Sequence, residues 1–425
     1  MGCPVHSVPA QPHKTKPCSQ EIRTRTVRKS SPQGVTIPNA KSYFFFADCR
    51  FLTLTFTYFL HKDYWRCYLE AIFAPSEATQ LSIYLGKSIL YSCKKDTFKS
   101  GDYNLNCIEI CAGAGGQALG LSMAGFEHVA LVEYESDYCS ILKNNRKDWN
   151  VICADVKDFS GKPFYNQIDL LAGGVPCPPF SVAGKQLGKN DERDLFPEAL
   201  RLIREINPKA VMLENVRGFL DPKFDDYRKS ILKKITNLGY DVQIKLLNAS
   251  DYGVPQLRPR IIIVGIRNDI NAEFQYPTPN PKQTANVGQT LADLMKANGW
   301  KHADKWVAQA KTIAPTIVGG SKKHGGPDLG PARARRAWAE LGVDGIGVAN
   351  EAPEPDFKGM PRLTPRMIAR IQGFPDYWNF GTKKTAACRM IGNAFPPPVA
   401  MAVGMQIKET LENGSITCYR AKKVS

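Results

Sequence analysis

Leu105-Asn106-Cys107-Ile108-Glu109-Ile110-Cys111-Ala112-Gly113-Ala114-Gly115-Gly116 is the stretch whose reading decides the fold. Its first half is a short apolar run suited to a buried strand. Its second half breaks into glycines, which let the backbone turn sharply and approach a ligand closely. Similar short runs recur at His128-Tyr134, Val151-Ala154, Ile168-Ala172, Ala210-Leu213 and Arg260-Ile266. Amphipathic helical segments are predicted between them, over Ser136-Asn145, Arg193-Ile206 and Phe224-Leu238. Such alternation predicts the α/β class, with a doubly wound, mostly parallel sheet covered by helices on both faces. Ligands of such sheets sit outside the carboxyl ends of the strands, so the residues that follow each strand are the candidates for function.

Three signals fall at those positions. The turn Cys111-Ala112-Gly113-Ala114-Gly115-Gly116 follows the first strand. Glu133 ends the next strand, where it can accept from ribose hydroxyls, and Asp155 follows the third, where it can accept from an adenine amino group. These features describe a nucleoside-cofactor site that a nicotinamide-dependent oxidoreductase would share, and a loose glycine pattern alone is a weak signal. The second signal is Gly173-Gly174-Val175-Pro176-Cys177-Pro178-Pro179-Phe180-Ser181. A free cysteine is ordinarily a small buried apolar residue; Cys177 is instead held between prolines on a loop at the ligand edge. Glu214-Asn215-Val216 ends the following strand and brings a carboxylate to the same edge. The third is Gln256-Leu257-Arg258-Pro259-Arg260, where two arginines alternate along an extended segment, one able to enter the cleft and the other to meet structure or phosphate.

One reaction uses all of these parts. Carbon 5 of cytosine is too electron-poor to take a methyl group directly, but a thiolate adding to C6 turns C5 into an enamine carbon. A free thiol with a pKa near ~8.5 is only slightly ionised at neutral pH, so a cationic or polar setting helps Cys177. Protonated Glu214 can donate to N3 while an arginine holds O2. The base must leave the duplex stack to be reached. The methyl donor this chemistry calls for is S-adenosylmethionine, whose adenosine suits Glu133 and Asp155.

With these blocks in order over residues 105 to about 410, the chain resembles the DNA cytosine-C5 methyltransferase family, in its bacterial restriction-modification form. The resemblance implies a Rossmann-like S-adenosylmethionine-dependent methyltransferase with a second, smaller target-recognition domain. Cys111, Ala112, Gly113, Gly115, Gly116, Glu133, Asp155 and Pro176 would bind the cofactor, and Asn393 of Gly392-Asn393 would close its pocket. Cys111 stands where the family usually has an aromatic residue. Cys177, Glu214, Arg258 and Arg260 form the implied catalytic set, with Arg260 by register the contact to cytosine O2. Arg362-Leu363-Thr364-Pro365-Arg366 resembles the block that supports the recognition domain. Pro178-Pro179-Phe180 has a superficial likeness to exocyclic-amine methyltransferases, but those need a side-chain acceptor where this chain has Cys177.

Outside the blocks, residues 1–40 form a basic arm, expected to be disordered, and 41–104 an accessory segment of unknown role. The catalytic domain would comprise 105–267 and 361–425. Residues 268–360 break the rhythm and would be the target-recognition domain, carrying Lys322, Lys323, Arg333, Arg335 and Arg336 as DNA contacts with Ser181 of the cysteine loop. That region is near charge balance, with 12 basic against 10 acidic residues from Arg267 to Lys358. It resembles inserts that read GC-rich palindromes of the GCCGGC type. Fifty-six Lys and Arg against 40 Asp and Glu leave a net charge of +16, which favours a polyanion such as double-stranded DNA. Twelve scattered cysteines without a CxxC pair fit a reducing cytoplasm and argue against a metal site. The apolar stretch Tyr43 to Leu60 is interrupted by Asp48 and Arg50, so no membrane span is expected. The expected protein is a cytoplasmic monomer, with room for a cognate restriction endonuclease that acts on the same site without a stable complex. The alternative is an RNA cytosine-C5 methyltransferase; a DNA-binding regulator without catalysis fits less well, because all the chemical residues are present.

Overall fold

The computed structural model describes residues 41–46, 52–61, 64–73, 105–175, 194–319 and 328–416. The chain divides into two compact units, Met1–Gly101 and Asp102–Ser425. In the first, β1 (Lys41–Phe46), β2 (Leu52–His61) and β3 (Tyr64–Phe73) form an antiparallel sheet in the order β1-β2-β3. These strands fall where the sequence suggested only an accessory segment; they are rich in the aromatic and β-branched residues that suit a pleated surface. The predicted basic arm, residues 1–40, lies outside the described residues.

The second unit is built on a seven-stranded sheet in the order β6-β5-β4-β7-β8-β10-β9. Its strands are β4 (Leu105–Ile110), β5 (Phe126–Glu133), β6 (Val151–Cys153), β7 (Leu170–Gly174), β8 (Ala210–Val216), β9 (Tyr240–Asn248) and β10 (Pro259–Arg267). Strands β4 to β8 pair in parallel, whereas β10 is antiparallel to both β8 and β9. Two features differ from expectation: the run at Arg260-Ile266 is the reversed strand, and β9 was not predicted. Its burial alternates irregularly at the sheet edge, so it lacks the continuous apolar run that marks the central strands.

Helices α1 (Gly116–Met123) and α2 (Ser136–Asn145) follow β4 and β5. Next come α3 (Phe196–Ile206) and α4 (Asp225–Asn237), whose apolar faces join Ile108, Leu171 and Ile263 of the sheet in one core. The region after β10 carries α5 (Val287–Lys296), α6 (Ala303–Gln309) and α7 (Ala332–Glu340). It is followed by α8 (Pro365–Ile371), α9 (Lys384–Asn393) and α10 (Pro397–Asn413). A second core joins Ala114, Leu142 and Trp149 to Leu291, Trp306 and Trp338 of the 268–360 region and to Ile368, Trp378 and Ile391. Residues 268–360, set apart by composition, therefore share their apolar interior with the sheet's helices.

Return of the chain by α10 is what closes the site. It packs against α1 so closely that a Cβ at Gly120 would lie 2.3 Å from the Pro397 carbonyl, and one at Gly116 would lie 2.1 Å from that of Phe395. Among the described residues no helix is long and apolar enough to cross a membrane.

Candidate active site

Strand order reverses between β4 and β7, and a cleft opens at their carboxyl ends, the position where doubly wound sheets bind ligands. Its open space, including the side facing solvent, is about 430 Å³. Of the expected cofactor residues, Cys111, Ala112, Gly113, Gly116 and Asn393 line it, together with Glu109, Gln117, Gly174 and Glu214. Gly115 turns the chain at φ 85° and packs below against Leu142 and Trp378. Gly113 also adopts a left-handed φ, 57°, with open space where a Cβ would stand.

Glu133 ends β5 beside this turn. Its carboxylate accepts from the Gly113 amide at 2.7 Å and from the Glu135 amide at 2.8 Å. Burial raises its pKa and those amides oppose the rise. The two oxygens still have lone pairs for ribose hydroxyls. Asp155 follows β6, where its side chain accepts from the Lys157 amide at 3.0 Å. Cys111 is held at φ 53°, unusual for a residue other than glycine. Burial, then the charges of Glu133, Asp155 and Glu109, push its thiol well up, so it stays neutral. An adenosine-bearing cofactor fits this donor set: a carboxylate at the second strand, a second at the third, and a glycine turn that permits close approach.

On the other wall, β7 and β8 place Gly174 beside Glu214 in register. The Arg260 guanidinium meets the Glu214 carboxylate at 2.8 Å, with each side chain 13% exposed. Burial pushes the Glu214 pKa up, while Arg260 and then Arg258 pull it down. Arg258 does not reach this wall. It is fully buried and donates to the carbonyls of Ile317 at 2.9 Å, Gly392 at 2.6 Å and Ala394 at 2.9 Å. Its fork ties the 268–360 region to the end of α9, away from the wall that holds Glu214 and Arg260, with which the resemblance grouped it. Within a strand, residues two apart would share a face, but Arg258 precedes β10 and turns inward.

Pro176, Cys177, Ser181, Lys322 and Lys323 lie outside the described residues. Arg333 and Arg336 are exposed on α7, and Arg335 is half-buried where it packs against Gly345. Several partners were not singled out from sequence. Asn215 donates to the Val175 carbonyl at 3.4 Å and so steadies the start of the cysteine loop. Gln256 donates to Gln372 at 2.6 Å, which donates to the Ala394 carbonyl at 2.6 Å. Gln117 at the cleft floor had no motif to mark it. Among the described residues no group of His, Cys, Asp and Glu could hold a metal ion.

A switch-point cleft of this kind, on a sheet with one reversed strand, belongs to a Rossmann-like α/β fold. Residues 105–409 match the family described as C-5 cytosine-specific DNA methylase. The type II methyltransferase M.NgoMIV of Neisseria gonorrhoeae is 56% identical over 308 residues, covering 72% of this chain and 97% of that protein. M.NaeI of Lentzea aerocolonigenes is 54% identical over 313 residues, covering 72% and 76%. Among solved structures, the Entamoeba histolytica methyltransferase EhMeth superposes with a TM-score of 0.52 at 17% identity, over 72% of this chain and 99% of that one, a likeness of fold. The chain belongs to the C-5 cytosine-specific DNA methylase family, as a DNA (cytosine-5-)-methyltransferase that groups with the bacterial type II restriction-modification enzymes. The family uses S-adenosylmethionine as methyl donor and DNA as substrate.

Proposed function

We propose that this chain methylates C5 of a cytosine flipped out of a specific site in duplex DNA, through a covalent bond between Cys177 and C6. The observation that carries this reading is the Glu214–Arg260 pair, 2.8 Å apart on the cleft wall beside Gly174, three residues before Cys177. Bound S-adenosylmethionine supplies an electrophilic methyl group. Cys177 adds to C6 as thiolate; Glu214 donates to N3 as charge develops there, and Arg260 holds O2. Loss of the C5 proton then expels Cys177 and restores the ring. Burial keeps Cys107 and Cys111 protonated, which leaves them unsuited to this role.

Cys111, Ala112, Gly113, Gly116, Glu133, Asp155 and Asn393 are proposed to hold the donor with Gly115 and Pro176. Residues 105–267 and 361–425 would form the catalytic frame, with 268–360 the target-recognition domain. Arg333 and Arg336, exposed on α7, are proposed to contact DNA with Ser181, Lys322, Lys323 and Arg335, gripping phosphates or reading guanine edges. The proposed target is a GC-rich palindrome of the GCCGGC type. The proposed setting is a bacterial cytoplasm, where a monomer protects host DNA from a cognate endonuclease.

Bisulfite sequencing of DNA from cells expressing the protein tests the reading. One recurrent methylated motif is expected, lost in Cys177→Ala. Methylation of tRNA with none on duplex DNA would move the activity to RNA, and unchanged methylation by Cys177→Ala would remove the covalent mechanism.

A further inference from the structure

Gln117 is the second residue of α1, and its side chain lines the cleft floor. The residue is 4% exposed, and neither its Oε1 nor its Nε2 has a hydrogen-bond partner. A buried amide without partners burdens the folded chain, because the water it lost is not replaced. Glu109, a second buried polar side chain of the floor, is in a different state: the Ala118 amide donates to its carboxyl, and its Oε2 faces the buried His128 Nε2 at 3.5 Å. Around them the lining mixes the apolar Ala114, Met390, Ala394 and Phe395 with the polar side chains of Tyr138, Glu214 and Asn393.

We propose that Gln117 grips the α-amino-acid end of the methyl donor; the inference rests on the cofactor reading above. A primary amide offers two N–H donors and a carbonyl acceptor. That set complements an adjacent carboxylate and ammonium. The first turn of α1 adds a favourable potential for the carboxylate. The ribose has its own acceptor in Glu133, and the apolar side chains Met390 and Phe395 suit the purine. Gln117 is thus an amide kept unpaired by the fold for a zwitterion.

The test compares two ligands by calorimetry on the full chain. S-adenosylhomocysteine carries the amino-acid end; 5′-methylthioadenosine is the same nucleoside thioether without it. Gln117→Met keeps length and removes both polar atoms. It should weaken S-adenosylhomocysteine by about tenfold or more, as expected for losing hydrogen bonds to charged groups, and leave methylthioadenosine within about twofold. The unliganded variant should melt at or above the wild-type temperature, since an unpaired buried amide has been removed. Equal weakening of both ligands, weakening of neither, or a lower unliganded melting temperature would overturn the inference. If Gln117→Met fails to fold, Gln117→Ala carries the same comparison. Wild-type protein that bound neither ligand would instead overturn the cofactor reading, and this inference with it.

Discussion

Arg258 and Arg260 stand two residues apart on one extended segment and meet opposite surroundings. Three carbonyls from two distant segments close around Arg258, whereas Arg260 faces a carboxylate on the cleft wall. Replacing Arg258 by Met would strand those carbonyls, costing about 3 kcal/mol or more in unfolding free energy. Urea denaturation should record that loss, and Arg258→Lys should not recover it, because an ammonium cannot reproduce the planar fork. Arg260→Ala should behave differently: initial-rate assays are expected to give roughly a 100-fold drop in turnover, with a smaller stability change, since Glu214 can protonate when its partner is gone. Glu214 itself carries a pH signature. Burial, outweighing Arg260 and Arg258, raises its folded pKa above the unfolded value of roughly 4.3. The carboxyl therefore binds its proton more tightly in the folded chain. Its stabilising contribution is full below the unfolded pKa and is lost as pH rises through the raised folded value. Denaturation of wild type and Glu214→Gln across that range should show the wild type losing ground to the variant as pH rises; a constant difference would contradict the raised pKa. Sequence marked both arginines and Glu214 by motif. The resemblance already favoured Arg260 for the cleft; it could not say what Arg258 meets, because the carbonyls that capture it lie 59 to 136 residues away.

Element by element, the central strands were legible because β4, β7 and β8 are buried on both faces and read as short continuous apolar runs. Edge strand β9 was not, since seven of its nine residues are at least partly exposed and its pattern resembles a loop. The reversal of β10 is likewise invisible in its residues, because a buried strand has the same composition in either direction. At α1 the glycines carry a meaning that helix propensity misses. Glycine inside a helix normally costs about 1 kcal/mol relative to alanine. Here a Cβ at Gly120 would lie 2.3 Å from the Pro397 carbonyl and 2.5 Å from the Ala400 Cβ. Gly120→Ala is therefore expected to destabilise, by about 1–3 kcal/mol through overpacking of α1 against α10, and thermal melts should show a lowered midpoint. A raised midpoint would mean that the two helices can part without cost.

At the scale of the molecule, the second unit contains the whole seven-stranded sheet, the cleft and the 268–360 region. A chain beginning at Asp102 should accordingly keep the unfolding transition of that unit and methylate DNA at a rate within a few-fold of the full protein, as circular dichroism melts and a methyl-transfer assay would report. Loss of activity with the transition intact would give residues 1–101 a functional part. Composition alone separated residues 268–360 from the catalytic blocks. In the fold, Trp306 and Trp338 of that region lie in the same core as Ala114 and Trp378, and the Trp378 indole donates to the Ala114 carbonyl across 264 residues. By itself, the sequence determined the α/β class and the glycine turn at the cleft, and it marked Glu214 and Arg260, because motif spacing and apolar runs are set over a few residues at a time. Only the tertiary structure decided that one strand runs backwards, that Arg258 clamps while Arg260 faces Glu214, and that Gln117 is buried without a partner. Burial and hydrogen-bond satisfaction depend on which distant segments meet, and no local pattern encodes that meeting.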